Sequence, residues 1–193
     1  AKLLIENGSD LNSKNLDNET PLLISINNGF SDITKLLIEN GVEEIPKNLD
    51  IVDSKNSYKY ISKTFNKYFY SVSLPIFKFL AIKNYKYAQN SLGNIYYLGR
   101  GVEKDYIEAK KWYEKAAIQG YKYAQSSLGD IYYNGYGVEK DYIEAKKWYQ
   151  KAAIQGYKYA QSSLGNIYHN GYGVKKDEYK AQKWYQKSTT KEN

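Results

Sequence analysis

The sequence contains no cysteine and no methionine, and its only histidine is His169. Without cysteine the chain forms neither a disulfide framework nor a thiolate metal site. A lone histidine supplies only one of the ligands that a zinc site requires, and no nucleophile is placed beside it for a catalytic triad. We therefore predict no metal, no cofactor and no enzyme activity. Because the missing methionine also removes an ordinary translation start, we expect a fragment of a longer protein.

Long apolar runs are missing as well. The most apolar stretch, residues 72–82, is interrupted by Lys78. Its length is about half of the ~20 residues that a membrane-spanning helix needs. No signal peptide is visible at the N-terminal end. We expect a protein without a membrane span, located in the cytoplasm.

The formal net charge of +7 is unevenly distributed, because acidic residues predominate over positions 1–48 and lysines predominate later. A basic half could attract an acidic partner or nucleic acid. The favoured interpretation is simpler: Lys110, Lys111, Lys115 and their copies solvate the outer face of a helix. The basic half also lacks the interleaved aromatic and basic side chains of single-strand binders. We therefore do not expect nucleic-acid binding.

One stretch of the sequence occurs three times. Residues 85–120 recur at 121–156 with five changes, and recur more loosely at 157–192. Self-similarity at a fixed period is typical of stacked units that bury their apolar faces against one another. Such stacks present elongated surfaces rather than one cleft. The repeat therefore favours binding over catalysis.

Each unit is predicted to be a helix–turn–helix. Ala88, Leu92 and Ile95 have the spacing of one helix face. Two glycines then allow the chain to reverse. Asp105 and Glu108 are spaced as a capping box at the start of a second helix.

Residues at the ends and seams of the units carry further predictions. Gly120 and Gly156 are placed to end the second helices in the left-handed conformation, and Asn84 has the equivalent place one period earlier. Small residues let the helices approach closely. We expect the tryptophans to fill the space between neighbouring units, seated on alanines; they are Trp112, Trp148 and Trp184.

This unit resembles the Sel-1-like repeat, a relative of the tetratricopeptide repeat. The resemblance rests on an ordered series of residues: Ala88, Leu92-Gly93, Tyr96, Gly99-x-Gly101-Val102, Asp105, Ala109, Trp112-Tyr113, Lys115-Ala116-Ala117 and Gly120. It implies an all-α fold, an α/α solenoid of helix–turn–helix repeats over residues 85–193 that acts as an adaptor rather than as a catalyst. Some secreted members carry a disulfide in each repeat, so the lack of cysteine favours a reducing compartment.

The N-terminal segment, residues 1–48, has a shorter period. Its opening, residues 1–8, recurs closely at residues 34–41. Between the copies, Thr20-Pro21-Leu22 resembles an ankyrin motif, with proline at the first helical position. The resemblance implies a partial ankyrin-repeat segment over residues 1–48, fused to the solenoid. Residues 49–84 are predicted to be a connector with one or two degenerate capping helices. Residues 74–83 are interpreted as the helix that caps the solenoid, and residues 58–72 as a candidate first helix of an extra repeat.

The candidate binding residues lie on the first helix of each unit, off its predicted buried stripe. By resemblance to tetratricopeptide proteins, these helices line the concave side. Tyrosine and amide side chains suit a peptide groove because they combine contact area with hydrogen bonds. Two of the five changes between the first two units fall on this face, which indicates either a tuned surface or drift. The candidates are Asn90, Asn94, Tyr97, Ser126, Asp130, Tyr133, Ser162, Asn166 and His169.

Two functions of different classes stay open. The first is a monomeric scaffold that binds a partner peptide or protein domain on its concave face. The alternative is the non-catalytic targeting region of a larger signalling enzyme, such as a kinase. Glycine pairs such as Gly135 and Gly137 are predicted to be turns, because a phosphate-binding loop needs a preceding strand and none is indicated.

Overall fold

The computed structural model describes residues 7–17, 19–27, 31–40, 74 and 77–190. The chain divides into two compact units, Ala1–Lys83 and Asn84–Asn193. In the described residues all regular elements are helices, which confirms the predicted all-α fold. They are α1 (Pro21–Asn27), α2 (Ser31–Glu39), α3 (Lys86–Leu98), α4 (Tyr106–Ile118), α5 (Lys122–Asn134), α6 (Tyr142–Ile154), α7 (Lys158–Asn170) and α8 (Glu178–Thr189).

The first unit is built around the pair α1 and α2. Leu22 and Leu37 are buried between these helices, and the half-buried ring of Phe79 packs against them. Phe79 belongs to a short helical stretch, residues 77–82, inside the helix predicted over residues 74–83. The connector predicted at residues 49–73 lies outside the described residues.

The second unit consists of three helical hairpins: α3 with α4, α5 with α6, and α7 with α8. Each hairpin also packs on the next, through α4 against α5 and α6 against α7. The buried core therefore runs along the seams between repeats, as the fixed period predicts. One seam is formed by Ala109, Tyr113, Ala116, Ala117, Ala124, Leu128 and Ile131, and the equivalent residues of the following repeats form the next.

A glycine and a tyrosine lie in close contact within each hairpin. Tyr149 on α6 is only 2% exposed, and its ring lies directly over Gly129 on α5. A Cβ atom added at Gly129 would lie 2.5 Å from two ring carbons of Tyr149, well inside van der Waals contact. The same overlap recurs between Gly93 and Tyr113. Glycine is therefore required at this position by packing rather than by backbone conformation.

The tryptophans line the rims of the seams. Trp148 is half-buried against the α4–α5 core, and Trp184 packs in the same way against the α6–α7 core. Their outer faces are covered by lysines, with Lys151 Nζ 3.9 Å from the centroid of the Trp148 ring. Trp148 and Trp184 therefore pack between repeats as expected, while tyrosines fill the interior of each hairpin. The contacts of Trp112 are with Glu108 and Lys115 of its own helix.

The predicted helix ends are confirmed, except for one half of the capping box. Gly120 and Gly156 have φ angles of 80° and 78°, and Asn84 has a φ of 69°, as predicted for left-handed ends. Asp105 accepts a hydrogen bond from the Glu108 amide. The reciprocal half of the predicted capping box is wrong, because the Asp105 amide donates to the Tyr96 carbonyl instead. The Glu108 carboxylate accepts from Trp112 Nε1 at 2.9 Å.

Candidate functional site

The candidate residues occupy three equivalent positions along α3, α5 and α7. The first position holds Asn90, Ser126 and Ser162. Asn90 is 4% exposed and Ser126 is 3% exposed, so the prediction that they lie off the buried stripe is wrong. The reason at Ser126 is that α5 packs against both α4 and α6, which buries a wider sector than one stripe. Ser162 is half-buried.

The second position holds Asn94, Asp130 and Asn166, and each of them accepts a hydrogen bond from the tyrosine that packs inside the same hairpin. Tyr113 and Tyr149 are buried, and Tyr185 is half-buried. Tyr149 donates its hydroxyl hydrogen to Asp130 Oδ1 at 2.6 Å. The equivalent bonds are Tyr113 to Asn94 at 2.7 Å and Tyr185 to Asn166 at 2.8 Å. These side chains therefore have a structural role that was not predicted. The signal in the sequence is an Asn or Asp that precedes a tyrosine at the same spacing in all three units.

The third position joins neighbouring repeats through tyrosine clusters. The Tyr97 ring meets the rings of Tyr106 and Tyr136 edge-on, with centroids 5.2 and 5.7 Å away. Tyr133 meets Tyr142 and Tyr172 in the same way one period later. Burial raises the pKa of Tyr97 to about 12, with a further contribution from Tyr136.

His169 differs from the tyrosines that it replaces. Its Nδ1 lies 3.0 Å from Glu178 Oε2, and both side chains are exposed. In the described part of the chain no group of three or more histidine, aspartate or glutamate side chains is placed to hold a metal ion. Glu178 also pairs with Lys176 Nζ at 3.2 Å, so His169 belongs to an exposed group of three side chains.

A second series of tyrosines, which we call the tyrosine ladder, runs across the N-terminal ends of the first helices. Successive ring centroids along it are 5.1, 5.2, 5.0 and 6.1 Å apart. Tyr123 is 38% exposed and Tyr159 is 52% exposed. The ladder was not predicted, although its signal is a pair of tyrosines at the start of every unit. It consists of Tyr87, Tyr121, Tyr123, Tyr157 and Tyr159.

Asp130 connects the ladder to the hairpin interior. Its Oδ1 accepts a second hydrogen bond, from the hydroxyl of Tyr159 at 2.9 Å. Burial raises the pKa of the Asp130 carboxyl, and the hydroxyls of Tyr149 and Tyr159 oppose that rise only in part. Within the described ranges no lysine, arginine or histidine pairs with this carboxylate. Asp130 is thus a largely buried charge held only by neutral donors.

Most charges on the second helices are paired locally. Lys110 Nζ lies 2.7 Å from Glu114, and Lys147 Nζ lies 2.8 Å from Glu144. Lys180 bonds the capping carboxylate of Asp177 at 3.0 Å. This pairing within single helices fits the interpretation that the lysines solvate an outer face. In the part of the chain that the structure describes, no helix has the length and apolar character needed to cross a membrane.

Asp130→Asn is expected to stabilise the repeat unit at neutral pH by about 1 kcal/mol, because it removes an unpaired, largely buried charge. Asn94 shows that an amide accepts the tyrosine hydroxyl equally well. The folded-state pKa of Asp130 is raised, so the wild-type chain loses stability as pH increases from the unfolded pKa to the folded one. Urea unfolding of both chains between pH 4 and 8 should show that the free energy of unfolding of the variant exceeds that of the wild type by an amount that grows with pH. A gap of the opposite sign would contradict the prediction.

Comparison with known proteins adds a family and a set of similar structures. A protein-family model described as Sel1 repeat matches residues 86–121, 122–157 and 158–193. The chain is similar to the crystal structure of a Sel1 repeat protein from Oxalobacter formigenes, at 40% identity over 55% of this chain and 44% of that chain, with a TM-score of 0.53.

The chain is also similar to c5321, a protective antigen present in uropathogenic Escherichia coli strains that displays an SLR fold. The identity is 26% over 86% of this chain and 36% of that chain, with a TM-score of 0.65. The chain therefore spans less than half the length of either solved structure. A search of curated proteins found no match.

Proposed function

Because the chain belongs to the Sel1 repeat family, we propose that it is a scaffold that binds a partner protein on the surface formed by its first helices. Proteins with Sel1 repeats are generally protein-interaction scaffolds without catalytic activity. The observation that carries the proposal is the tyrosine ladder, which leaves Tyr123 and Tyr159 exposed and joins Tyr159 to Asp130.

Exposed tyrosines are suited to this role for a physical reason. A tyrosine ring offers a large apolar contact area and a polar hydroxyl, and it loses little conformational entropy on binding. Edge-to-face contacts within the ladder further restrict the rings of Tyr123 and Tyr157. A partner therefore meets a surface that is already ordered, which lowers the entropic cost of association.

The burial of individual side chains shows which of the predicted binding residues a partner can reach. Asn90 and Ser126 are enclosed, so they support the surface without touching a partner. Asp130 and Tyr133 are partly accessible, and Asn166 and His169 are exposed. We propose that the contact surface combines these accessible positions with the tyrosine ladder, and that it lies on the concave side of the solenoid. One chain supplies all of these residues, so the proposed scaffold acts as a monomer and needs no second copy.

Replacing Tyr123 and Tyr159 together with serine is expected to weaken partner binding at least tenfold, because exposed aromatic anchors dominate interface energetics. The wild-type 193-residue chain would be cross-linked in cells and its partner identified by mass spectrometry. Binding of the purified partner would then be measured by calorimetry.

The matched control replaces Ile118 and Ile154 with serine. These residues are each 80% exposed and lie on the second helices. The control variant should bind like wild type, and circular dichroism should show equal helix content in all three chains. Equal affinity of the tyrosine variant and the wild type would reject the proposed surface.

We also propose that residues 1–48 are a partial ankyrin-repeat segment. Helix α1 begins at Pro21 directly after the buried Thr20, which supports the motif assigned from the sequence. The α1–α2 pair is tied by a hydrogen bond from Thr34 Oγ1 to Ser25 Oγ at 2.9 Å. The alternative role, as the targeting region of a larger signalling enzyme, is favoured by no residue in the described ranges.

A further inference from the structure

We propose that Asp130 binds the ammonium group of a lysine side chain from the partner protein. The inference deepens the proposed function and rests on it, because it assigns the chemistry that one point of the binding surface recognises. Its starting point is the uneven use of the two carboxylate oxygens. Oδ1 accepts hydrogen bonds from both Tyr149 and Tyr159. Oδ2 accepts no hydrogen bond from any described residue. It is also not one of the fully buried polar atoms that lack a partner, so it is accessible from solvent.

The charge at Asp130 is not needed for the fold. The equivalent Asn94 and Asn166 accept the same tyrosine hydroxyl at nearly the same distance without a charge. An amide at position 130 would therefore hold Tyr149 as well as the carboxylate does. A carboxylate in this place brings a desolvation cost that its neutral donors offset only in part. A cation supplied by a partner would balance the negative charge of the Asp130 carboxylate.

The rings around Asp130 also suit a cation. Tyr159 bonds the carboxylate directly, and Tyr157 and Tyr97 lie near enough for its charge to add to the burial that raises their pKa values. Aromatic faces attract cations through the negative potential of the ring. A lysine side chain would lay its apolar stem on these rings and place its charged end on the carboxylate.

The geometry favours lysine over arginine. A guanidinium group binds a carboxylate best through two parallel hydrogen bonds, one to each oxygen. Oδ1 of Asp130 already accepts two hydroxyl hydrogens, so only Oδ2 is open to a new donor. An ammonium group is a compact point charge that needs a single acceptor. The partner is therefore expected to present a lysine at this point.

The probe is the pentapeptide acetyl-Gly-Gly-Lys-Gly-Gly-amide, titrated into the ¹⁵N-labelled 193-residue chain. Saturable shifts are expected at the amides of Asp130 and Tyr159. Asp130→Asn should weaken binding at least tenfold while the rest of the spectrum keeps its native positions. A peptide with norleucine in place of lysine should bind at least tenfold more weakly. A peptide with arginine in place of lysine should bind severalfold more weakly. No saturable shift, equal binding of the norleucine peptide, or tighter binding of the arginine peptide would overturn the proposal.

A transfer variant guards against loss of binding through misfolding. Asn94→Asp combined with Asp130→Asn moves the carboxylate one repeat along the stack without changing the total charge. Binding should return in part, with the shifts moved to residue 94, and shifts that persist at residue 130 would refute the assignment.

The two proposals fail in different ways. If Asp130→Asn leaves lysine binding unchanged while the tyrosine variant loses its partner, only the lysine assignment fails. If the tyrosine variant keeps its partner, the proposed surface itself fails.

Discussion

Tyr149→Ala is expected to lower the free energy of unfolding of the repeat unit by about 3–5 kcal/mol, the usual cost of deleting a buried aromatic ring. The ring lies against Gly129 in the central hairpin and is almost fully enclosed. Its removal leaves a cavity that the neighbouring core fills only in part, since four of the seven buried residues of this cluster are alanines, which have no rotamers through which to move inward. The Asp130 carboxylate also loses one of its two neutral donors.

Tryptophan fluorescence during urea unfolding is the appropriate measurement, because Trp112, Trp148 and Trp184 all belong to the second unit. Tyr149→Phe keeps the ring and removes only the hydroxyl, so it should cost about 1.5–3 kcal/mol, the range for one hydrogen bond to a charged group. Tyr123→Ala, at an exposed ring, should remain within about 0.5–1 kcal/mol of wild type. Equal losses for Tyr149→Ala and Tyr123→Ala would show that the hairpin interior is not held by this ring.

The sequence predicts the repeat architecture well because its signals are local and repeated. The spacing of Ala88, Leu92 and Ile95 defines one helix face, and Gly120 and Gly156, after the second helices of the first two units, mark where the chain turns. Each signal occurs in more than one unit, so a chance match at one site is corrected by the others. The Sel1 repeats, the helical hairpins and the left-handed helix ends are all confirmed.

The division between buried and accessible polar residues could not be predicted in the same way. Asn90 and Ser126 look like surface residues because they are polar and lie outside the main apolar stripe. Helix α5, however, packs against a neighbour on each side, and that two-sided contact is a property of the stack rather than of one helix. Periodicity within one helix does not report how many neighbours the helix has.

The pairing of Asp130 with Tyr149 was also hidden in the sequence. The two residues lie on different helices, 19 positions apart, and their contact depends on how the hairpin closes. Tyrosine adds to the difficulty, because its apolar ring favours burial while its hydroxyl tolerates water. The same residue type therefore fills the core at position 149 and the exposed ladder at position 159, and only the packing separates the two roles.

Gly129→Ala is expected to destabilise the repeat unit by about 1–3 kcal/mol, the usual cost of overpacking a core. In a helix interior alanine is normally favoured over glycine by about 1 kcal/mol, so the sign of the effect is diagnostic. The added methyl group would overlap the Tyr149 ring, which is enclosed and cannot turn away. Ser127→Ala, two residues before Gly129 on the same helix, serves as the control. It should leave the free energy of unfolding unchanged or raise it slightly.

A double variant identifies the cause of that loss. In the background of Tyr149→Ala the ring is gone, so Gly129→Ala should no longer destabilise and should instead recover part of the helix propensity. The two changes should therefore be non-additive by about 1–3 kcal/mol, as expected for residues in direct contact. Simple additivity would place the strain elsewhere in α5 and would leave the recurrence of glycine at positions 93, 129 and 165 without a packing reason.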